Sequence, residues 1–401
     1  MSERKESIIG EIPEKWKCLY IGDIADVTKL AGYEYTKHIT YVEDGDVIAL
    51  RALNVREGKL DLSDTKKIFK SVSDSLPRSK LYKNDILFTY VGANIGQFAL
   101  IPESGKFHLA PNICRIRCGD DCDPYFIFSY FRTDFFRDGL DGFSHGSSQP
   151  TLPMKNIRKI PVPVPPLPEQ RAIATVLSSL DDKIDLLRRQ SKTLEAMTET
   201  MFRHWVEEEP REEWEERPLS SIAKFLNGLA WQKHPPLNDF EKLPVLKIRE
   251  LSSGVSHASD WATSKVKPEY IVETGDVIFA WSASLMIKIW DGEKCVLNQH
   301  LFKVTSDEFP KWFYLMWCKR HLAEFISISA SHATTMGHIK RGDLDAAMVA
   351  VPSPQELQEM SEKMTPLLEK QIVLAKQWKT LEKLRDSLLP KLMSGEVRVD
   401  C

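Results

Sequence analysis

The residues best suited to chemistry are hydroxyl, amide and basic side chains gathered in one segment of the first half of the sequence. They are Ser144, His145, Ser147, Ser148, Gln149 and Lys155. Hydroxyls and lysines suit phosphate oxygens, whereas Gln, Asn and Arg side chains can read the edges of bases. This composition indicates contact with a nucleic acid.

The same kinds of side chain return at the matching place in the second half, as His332, Thr334, Thr335, His338 and Lys340. Two more patches also occur once in each half. The first half contributes Arg51, Asn54 and Arg56 at a strand end, then Tyr90, Asn94 and Gln97 beyond another strand. The second half contributes Lys247, Arg249, Trp281 and Ser284. Any one of these residues could belong to an ordinary solvated loop, but their recurrence favours a shared DNA-binding role.

Catalytic or metal-binding arrangements are not predicted. The sequence has no Walker-type phosphate loop and no Gly-x-Gly-x-x-Gly after a strand. Adjacent Ser and His residues point apart, and a catalytic triad needs nucleophile and base in hydrogen-bond contact. Cys114, Cys118 and Cys122 have a spacing that fits neither paired zinc ligands nor a complete cluster, and it is typical of inert thiols. We therefore expect no enzyme activity, no metal and no cofactor in this chain.

Two copies of one unit make up the chain, and they must position these patches. Trp16 and Ile24 match Trp214 and Ile222, and later motifs recur in the same order. Chance similarity between two α/β domains would scramble that order. Each copy has short β-branched runs broken by turn residues, which indicate strands, and then a helical pattern. The predicted fold class is α+β, with mixed α/β recognition domains, two long antiparallel coiled-coil helices and an internal two-fold pseudo-repeat.

The helices show the clearest pattern. From residue 169, apolar residues recur at steps of four and three, the repeat of a coiled-coil seam, and the second half repeats the pattern in phase. The predicted helix-pair interface consists of Leu177, Leu180, Ile184, Leu187, Leu194, Met201, Leu367, Leu374, Trp378, Leu381 and Leu388. Residues 169–205 would form a rod of roughly 55 Å, which cannot bury its own seam. An antiparallel pair would place the globular domains at opposite ends; the alternative is that each helix folds back on its own domain.

These patterns predict four segments. Globular domains are expected at 1–160 and 207–350, and long-helix regions at 161–206 and 351–401. Pro366 falls inside the second helical pattern. A proline there should kink the helix or end a first short segment, because it lacks a backbone N–H and clashes with the preceding turn.

Composition limits the compartment and the partners. The chain has 401 residues, 42% hydrophobic and 28% charged, which is typical of a folded protein of about two to three domains. No apolar run reaches the roughly 18 residues of a membrane helix, so no membrane partner is expected. Seven cysteines, an odd number, favour free thiols in a reducing, cytoplasmic compartment. The net charge of −3 does not indicate a nucleic-acid partner, so local patches must contact any polyanion.

One segment carries a family resemblance: Ile160-Pro-Val-Pro-Val-Pro-Pro-Leu-Pro-Glu169-Gln170, which leads into the first long helix. With the duplicated plan and the ending Ser387-Leu-Leu-Pro-Lys-Leu-Met-Ser-Gly395, it resembles the specificity subunits of type I restriction-modification systems. The resemblance covers essentially the whole chain. It implies two target-recognition domains, each reading one half of an asymmetric bipartite site in double-stranded DNA. It also implies that the helices dock two methyltransferase (modification) subunits, that restriction (nuclease/translocase) subunits can join, and that this chain catalyses nothing itself.

Two other functions compete with this interpretation. The proline-rich segment 161–168 could dock an SH3-like module as a polyproline II helix, which would make the chain a coiled-coil adaptor. That function would explain the prolines but not the matched helices or the duplication. The second is a nuclease with duplicated domains, against which the lack of a carboxylate cluster counts.

Overall fold

The computed structural model describes residues 4–56, 58–141, 151–208, 213–331 and 337–399. The chain forms two compact units, one made of residues 1–182 with 383–401 and the other of residues 183–382. Two long helices, Leu167–Arg203 and Pro354–Met393, are divided by the unit boundary, and a π-helical turn, His204–Glu208, follows the first. Within the described ranges, no helix has the length and apolar character needed to cross a membrane.

The first unit is built on a four-stranded antiparallel sheet in the order Phe98–Leu100, Ile86–Thr89, Ile113–Cys118 and Ala25–Lys29. A second sheet has the order Phe107–Leu109, Val47–Leu50 and Lys66–Ile68, in which the first pair is parallel. The remaining strands are Arg4–Lys5, Ile12–Pro13, Lys17–Tyr20, Val55–Arg56, Lys59–Leu60 and Pro161–Val164. The shorter helices are Ile21–Ile24, Gly32–His38, Ala52–Asn54, Lys70–Ser75, Pro77–Ser79, Pro124–Tyr130, Asp134–Asp141 and Met154–Arg158.

The second unit repeats this plan. Its main antiparallel sheet has the order Lys224–Asn227, Leu301–Thr305, Val277–Ala280 and Met286–Ile289. A second sheet has the order Trp261–Thr263, Lys242–Leu246, Cys295–Leu297 and Ile271–Val272. Strand Glu215–Pro218 pairs with Met348–Val351. The shorter helices are Leu219–Ile222, Trp231–Lys233, Ile248–Ser253, Pro268–Tyr270, Lys311–Ser331 and Arg341–Ala346.

The central strand of each main sheet is buried on both faces. In Ile86–Thr89, Ile86 and Phe88 pack into one apolar cluster, and Leu87 packs into another on the opposite face. Successive side chains of a strand point to opposite faces, so a sheet covered on both sides needs an unbroken apolar run rather than alternation. Strand Val277–Ala280 divides its side chains between two clusters in the same way. These two runs are therefore core strands, and they position the residues that follow them, Tyr90 and Trp281.

The predicted mixed fold with two long antiparallel helices is confirmed. In the first unit, Arg385 Nη1 lies 2.8 Å from Asp181 Oδ1, and Arg398 Nη2 lies 2.8 Å from Glu169 Oε2. The residue numbers rise along one helix as they fall along the segment that it contacts. In this unit the paired segments therefore run in opposite directions.

The seam residues fall into several packing groups. In the second unit Ile184, Leu187, Leu374 and Trp378 form one apolar cluster, against which Leu194 and Leu381 pack. In the first unit Leu177 is buried together with Leu389 and Leu392. Leu180, Met201, Leu367 and Leu388 are half-buried.

The seam of the second helix departs from the predicted repeat by one position in two places. Leu368 and Leu389 are buried, where Leu367 and Leu388 were expected to be. Between these two places Leu374 and Trp378 keep the predicted positions. Leu368 packs instead into the apolar cluster of the second unit and Leu389 into that of the first.

Pro366 does not end a first short segment of the second helix, which was one of the two outcomes expected for it. The helix Pro354–Met393 is continuous through this position. Met364 and Leu368, on either side of the proline, are buried in the apolar cluster of the second unit. Their burial offsets the roughly 3 kcal/mol that an interior proline costs a helix.

The motif at the start of the first long helix is buried and fully engaged. Glu169 is 4% exposed; its Oε2 accepts a hydrogen bond from Trp16 Nε1 at 3.1 Å, and its carboxylate pairs with Arg398. Gln170 is 1% exposed, donates to Pro165 O at 2.9 Å and accepts from Asp123 N at 2.9 Å. These bonds attach the helix start to the first unit and satisfy polar groups that would be costly to bury alone.

The second long helix begins with a related contact. Trp214 Nε1 donates to Glu356 Oε2 at 3.2 Å, and the same oxygen accepts from Ser353 N at 3.0 Å and Ser353 Oγ at 2.8 Å. The reciprocal pair of Ser353 and Glu356 is a capping box. Each unit thus fixes its long helix by one indole–carboxylate hydrogen bond.

The proline-rich segment is part of a sheet. Strand Pro161–Val164 pairs antiparallel with Lys17–Tyr20, and Val162, Pro163 and Val164 are buried. A polyproline II ligand must expose its ridge to an aromatic groove. The adaptor alternative is therefore not favoured by this segment.

Two neighbouring leucines test the helix seam. Leu187 is 2% exposed and Leu186 is 39% exposed. We expect Leu187→Ala to lower the free energy of unfolding by roughly 2–5 kcal/mol, since it leaves a cavity. Leu186→Ala should lower it by less than about 1 kcal/mol. Urea denaturation of the full chain measures both, and equal losses would contradict the seam.

Asp181 supplies a pH test. Its burial opposes ionisation, but Arg132, Tyr125 and Arg385 together outweigh burial and lower the pKa of this carboxyl. A lowered folded-state pKa contributes stability above the ordinary Asp pKa that is lost as pH falls through the folded value. We expect Asp181→Asn to lower the free energy of unfolding by roughly 3 kcal/mol at pH 7.

The deficit of Asp181→Asn should shrink as pH falls below about 4, because the carboxyl of the unfolded wild-type chain takes up a proton there while that of the folded protein stays ionised. The neighbouring exposed carboxylate offers the control, Asp182→Asn, which should change little at either pH. Urea denaturation at pH 7 and pH 3 measures the difference. A deficit that is independent of pH would mean that the ion pairs do not cause it.

Candidate nucleic-acid interface

In the first unit, the end of the core strand Ile86–Thr89 organises the polar patches. Tyr90 follows this strand, and its N–H donates to Asn112 O at 3.0 Å. Leu152 N donates in turn to Tyr90 O at 2.8 Å, and Val91 bridges to Thr151. The segment that leads to Lys155 is thereby held beside the strand end.

Two sequence-predicted patches meet in one concave pocket of about 470 Å³. Arg51 enters it from the end of strand Val47–Leu50, and Asn94 enters it from the turn after Tyr90. Tyr35, Tyr41 and Asn112 complete its polar lining. Burial and the hydrogen bond between Tyr41 and Tyr35 raise the pKa of Tyr41 to about 12, so its hydroxyl keeps its proton at neutral pH.

In the patch from Arg51 to Arg56, one side chain is buried and stabilises the loop, and another is exposed to solvent. Asn54 is fully buried, and its Nδ2 donates to Asp61 O at 2.8 Å and Asp64 O at 2.7 Å. Its amide is committed to the loop, so we leave it out of the proposed interface. Arg51 pairs with Asp64 at 2.9 Å, whereas Arg56 has a 62% exposed side chain and only a 4.0 Å contact with Asp61.

Tyr90 lies beneath a lysine that sequence reasoning missed. Tyr90 is 9% exposed, and the ammonium of Lys29 lies 5.3 Å from the centre of its ring. Burial raises the pKa of Tyr90. A cation over an aromatic face at this distance is attracted by the ring quadrupole. The ring thus positions one exposed positive charge at the end of the sheet.

The second unit has an aromatic and imidazole cluster at the corresponding strand end. Trp281 follows strand Val277–Ala280, and its N–H donates to His300 O at 3.4 Å. The Trp281 ring centre lies 5.9 Å from that of His300 and 6.4 Å from that of His338. Its indole nitrogen donates to Asn227 Oδ1 at 3.2 Å. Ser284 is exposed just beyond, as is Lys340.

The two basic residues predicted at the other strand end of the second unit are both engaged. Lys247 pairs with Asp260 and lies 4.6 Å from the ring centre of Trp231. Arg249 donates from Nη2 to Glu250 Oε1 at 2.7 Å and to Ala258 O at 2.6 Å. These contacts leave Lys247 and Arg249 with little free hydrogen-bonding capacity for phosphate.

Several predicted residues lie outside the described part of the chain: Ser144, His145, Ser147, Ser148, Gln149, His332, Thr334 and Thr335. Gln97 and Lys155 are described, the first half-buried and the second exposed on the helix Met154–Arg158.

Sequence reasoning missed Lys29, Tyr35, Tyr41, Asn227 and His300, because tertiary pairing, not spacing along the chain, brings them to the strand ends. One signal was present: Asn112 and Asn298 were among the matches between the two halves. Strand pairing shows that His300, not Asn298, stands where Asn112 stands, since each accepts the N–H after the core strand.

The thiols are of two kinds. Cys114 is fully buried, and burial raises the pKa of its thiol to about 12. Cys118 and Cys122 lie side by side with 2.9 Å between their sulfur atoms, and both are free. The described ranges contain no group of three or more His, Cys, Asp or Glu residues placed to hold a metal ion.

The sequence profile described as the type I restriction modification DNA specificity domain matches this chain twice, over residues 13–196 and 211–383. The two matches include both strand-end sites and most of both long helices. The chain therefore belongs to this family and is a specificity subunit of a type I restriction-modification system.

Known relatives align along the whole chain. The specificity subunit of the type I restriction enzyme MjaIX from Methanocaldococcus jannaschii is 26% identical, across 100% of this chain and 97% of that protein. The EcoKI specificity subunit from Escherichia coli K12 is 23% identical, across 97% and 90% respectively. The crystal structure of a type I S subunit from M. genitalium shares the fold, with a TM-score of 0.59 and 15% identity over 96% of each chain.

Asn54 and Asn94 test whether the buried asparagine stabilises the fold and the exposed one does not. We expect Asn54→Ala to lower the free energy of unfolding by roughly 1–3 kcal/mol, because it leaves buried backbone groups unpaired. Asn94→Ala, at an exposed position, should change it by less than about 0.5 kcal/mol. Chemical denaturation of both variants compares the two, and similar losses would contradict the assignment.

Proposed function

We propose that this specificity subunit reads an asymmetric, bipartite site in double-stranded DNA, with each unit reading one half. One observation carries the proposal: each unit has the same core strand, and the strand end of each carries polar and aromatic side chains of different chemistry. Tyr90 and Asn112 in the first unit correspond to Trp281 and His300 in the second. Different side chains on one scaffold are suited to different base sequences.

The charge of the chain indicates that it does not hold DNA alone. Its net charge is −3, and Arg51 and Lys247 are neutralised by carboxylates. Arg56, Lys155 and Lys340 are exposed and suited to phosphate contacts. Phosphate contacts supply most of the affinity of DNA-binding proteins, so we infer that partner subunits contribute further contacts.

The long helices are the proposed spacer and docking region. A helix of 37 residues, Leu167–Arg203, has a length of roughly 55 Å, which exceeds one turn of a DNA duplex. The proposed partners are two methyltransferase subunits, with restriction subunits able to join. Spacer regions at 161–206 and 351–401, and recognition domains at 1–160 and 207–350, are the corresponding division of the chain.

We also propose that the chain is a non-catalytic, cytoplasmic subunit. Methyl transfer and cleavage would then belong to its partners. The nuclease alternative finds no support in the described residues, which lack a cluster of carboxylates or imidazoles placed around one point. A purified chain that cleaved DNA with added Mg²⁺ would overturn this part of the proposal.

Methylation mapping tests the bipartite site. The full chain is co-expressed with the methyltransferase subunit of its own system, and the methylated motif is read from genomic DNA. We expect one asymmetric motif with unspecified bases between its halves. Replacing Asn94 together with Lys155 in the first unit should relax the motif in one half only, while the loss of Lys155 weakens binding to all sequences alike.

The matched variants lie in the second unit: Ser284→Ala with Lys340→Ala should alter the other half only. These are exposed positions, so the fold should be retained. If either pair changed both halves together, the assignment of one unit to one half-site would be wrong. A wild-type complex that methylated no bipartite motif would refute the function itself.

A further inference from the structure

The pocket of the first unit, lined by Tyr35, Tyr41, Arg51, Asn94 and Asn112, has an unusual polar character for a DNA-binding surface. Its one charged lining residue is Arg51. Arg51 Nη2 donates to Asp64 Oδ1 at 2.9 Å and to Asp64 O at 3.0 Å. The positive charge in the pocket is therefore neutralised by a neighbouring carboxylate, which also repels phosphate.

The two side-chain amides of the pocket are free. The side-chain amides of Asn94 and Asn112 make no hydrogen bond within the part of the chain that the structure describes, and both residues are exposed. The Nε of Arg51 is buried without a partner. An amide offers one acceptor and two donors, the pattern that pairs with the edge of a base. Free amides beside a neutralised cation favour a base over a phosphate.

The main chain that carries Asn94 and Asn112 is fixed by hydrogen bonds in the absence of a ligand. Gly96 N donates to Thr89 O at 3.0 Å, and Ile95 N donates to Gly92 O at 3.2 Å, which closes the turn that carries Asn94. Gly92 adopts a φ of 98°, which this turn requires. Asn112, at a φ of 73°, is fixed by the hydrogen bond from Tyr90 N to its carbonyl. With the backbone fixed, only the two side chains have to be ordered on binding.

We propose that this pocket reads a base edge of the first half-site through Asn94 and Asn112, and that phosphate contacts are made outside it by residues such as Lys155. The proposal rests on the proposed function and specifies which part of the DNA the pocket recognises. Tyr35 and Tyr41, whose hydroxyls are hydrogen-bonded to each other, form its aromatic wall. A bidentate amide of this kind is the usual partner of adenine.

The test compares pocket variants with a phosphate-contact variant in the methyltransferase complex of the full chain. Asn94→Ala removes one amide, and Asn112→Gly removes the other while tolerating the positive φ. Both should relax the methylated motif at one base pair of one half-site. Discrimination at that pair should fall by roughly 5- to 100-fold, with affinity for other sequences retained.

Salt dependence separates the two kinds of contact. For the pocket variants, the slope of log K against log salt should equal that of the wild type. Lys155→Ala should weaken all sequences alike and reduce the slope by about 0.9, as loss of one phosphate contact does. Tyr41→Phe, which keeps the ring, serves as a second pocket variant if Asn112→Gly lowers the thermal midpoint.

Three outcomes would overturn the inference. Pocket variants that weaken all sequences alike and lower the salt slope would make the pocket a phosphate site. Pocket variants with an unchanged motif and unchanged affinity would place it outside the interface. Relaxation in both half-sites would contradict both this inference and the proposed function, whereas a bipartite wild-type motif with unaffected pocket variants contradicts the inference alone.

Discussion

A carboxylate at the start of each long helix, Glu169 buried and Glu356 half-buried, accepts an indole N–H and attaches the helix to its unit. Glu169 accepts the indole N–H of Trp16 and pairs with Arg398, so three distant segments of the first unit meet at one side chain. A buried carboxylate that loses its partners is destabilising by several kcal/mol. Gly395 is part of the same assembly: at a φ of 67°, a Cβ added there would lie 2.4 Å from Pro13. The motif at the start of the first long helix and the segment with Gly395 and Arg398 are thus parts of one contact region in the first unit.

The helices and the duplication could be predicted because they depend on local periodicity and on the order of motifs. The pairing followed from an apolar seam that neither helix can bury alone, and its antiparallel direction followed from a two-fold relation between the two copies. Two departures have causes that periodicity does not contain. Leu368, not Leu367, packs into the apolar cluster of the second unit, and Pro366 does not end the helix, because Met364 and Leu368 are buried on either side of it.

The strand-end sites were harder to predict, because residue type does not reveal what a side chain contacts. Asn54 and Asn94 looked alike in sequence, yet the first holds a loop and the second is exposed. Arg51 and Lys247 were expected to be free cations, and each is paired with a carboxylate 13 residues later in the chain. Such pairing is decided by tertiary geometry. The recurrence of similar residue types in the two halves identified the strand ends. It did not show which side chains there are free to bind a ligand.

In both units, the residues that stabilise the fold are different from the strand-end residues proposed to contact DNA. In both units the core strand is buried on both faces and the long helix is fixed by an indole–carboxylate bond, and these contacts use the same residue types twice. At the strand ends the types differ: Lys29, Tyr90 and Asn112 in one unit correspond to Asn227, Trp281 and His300 in the other. Surface substitutions away from such anchoring contacts usually change stability by less than about 0.5 kcal/mol. The exposed members of these sets can therefore vary while the scaffold that presents them is retained.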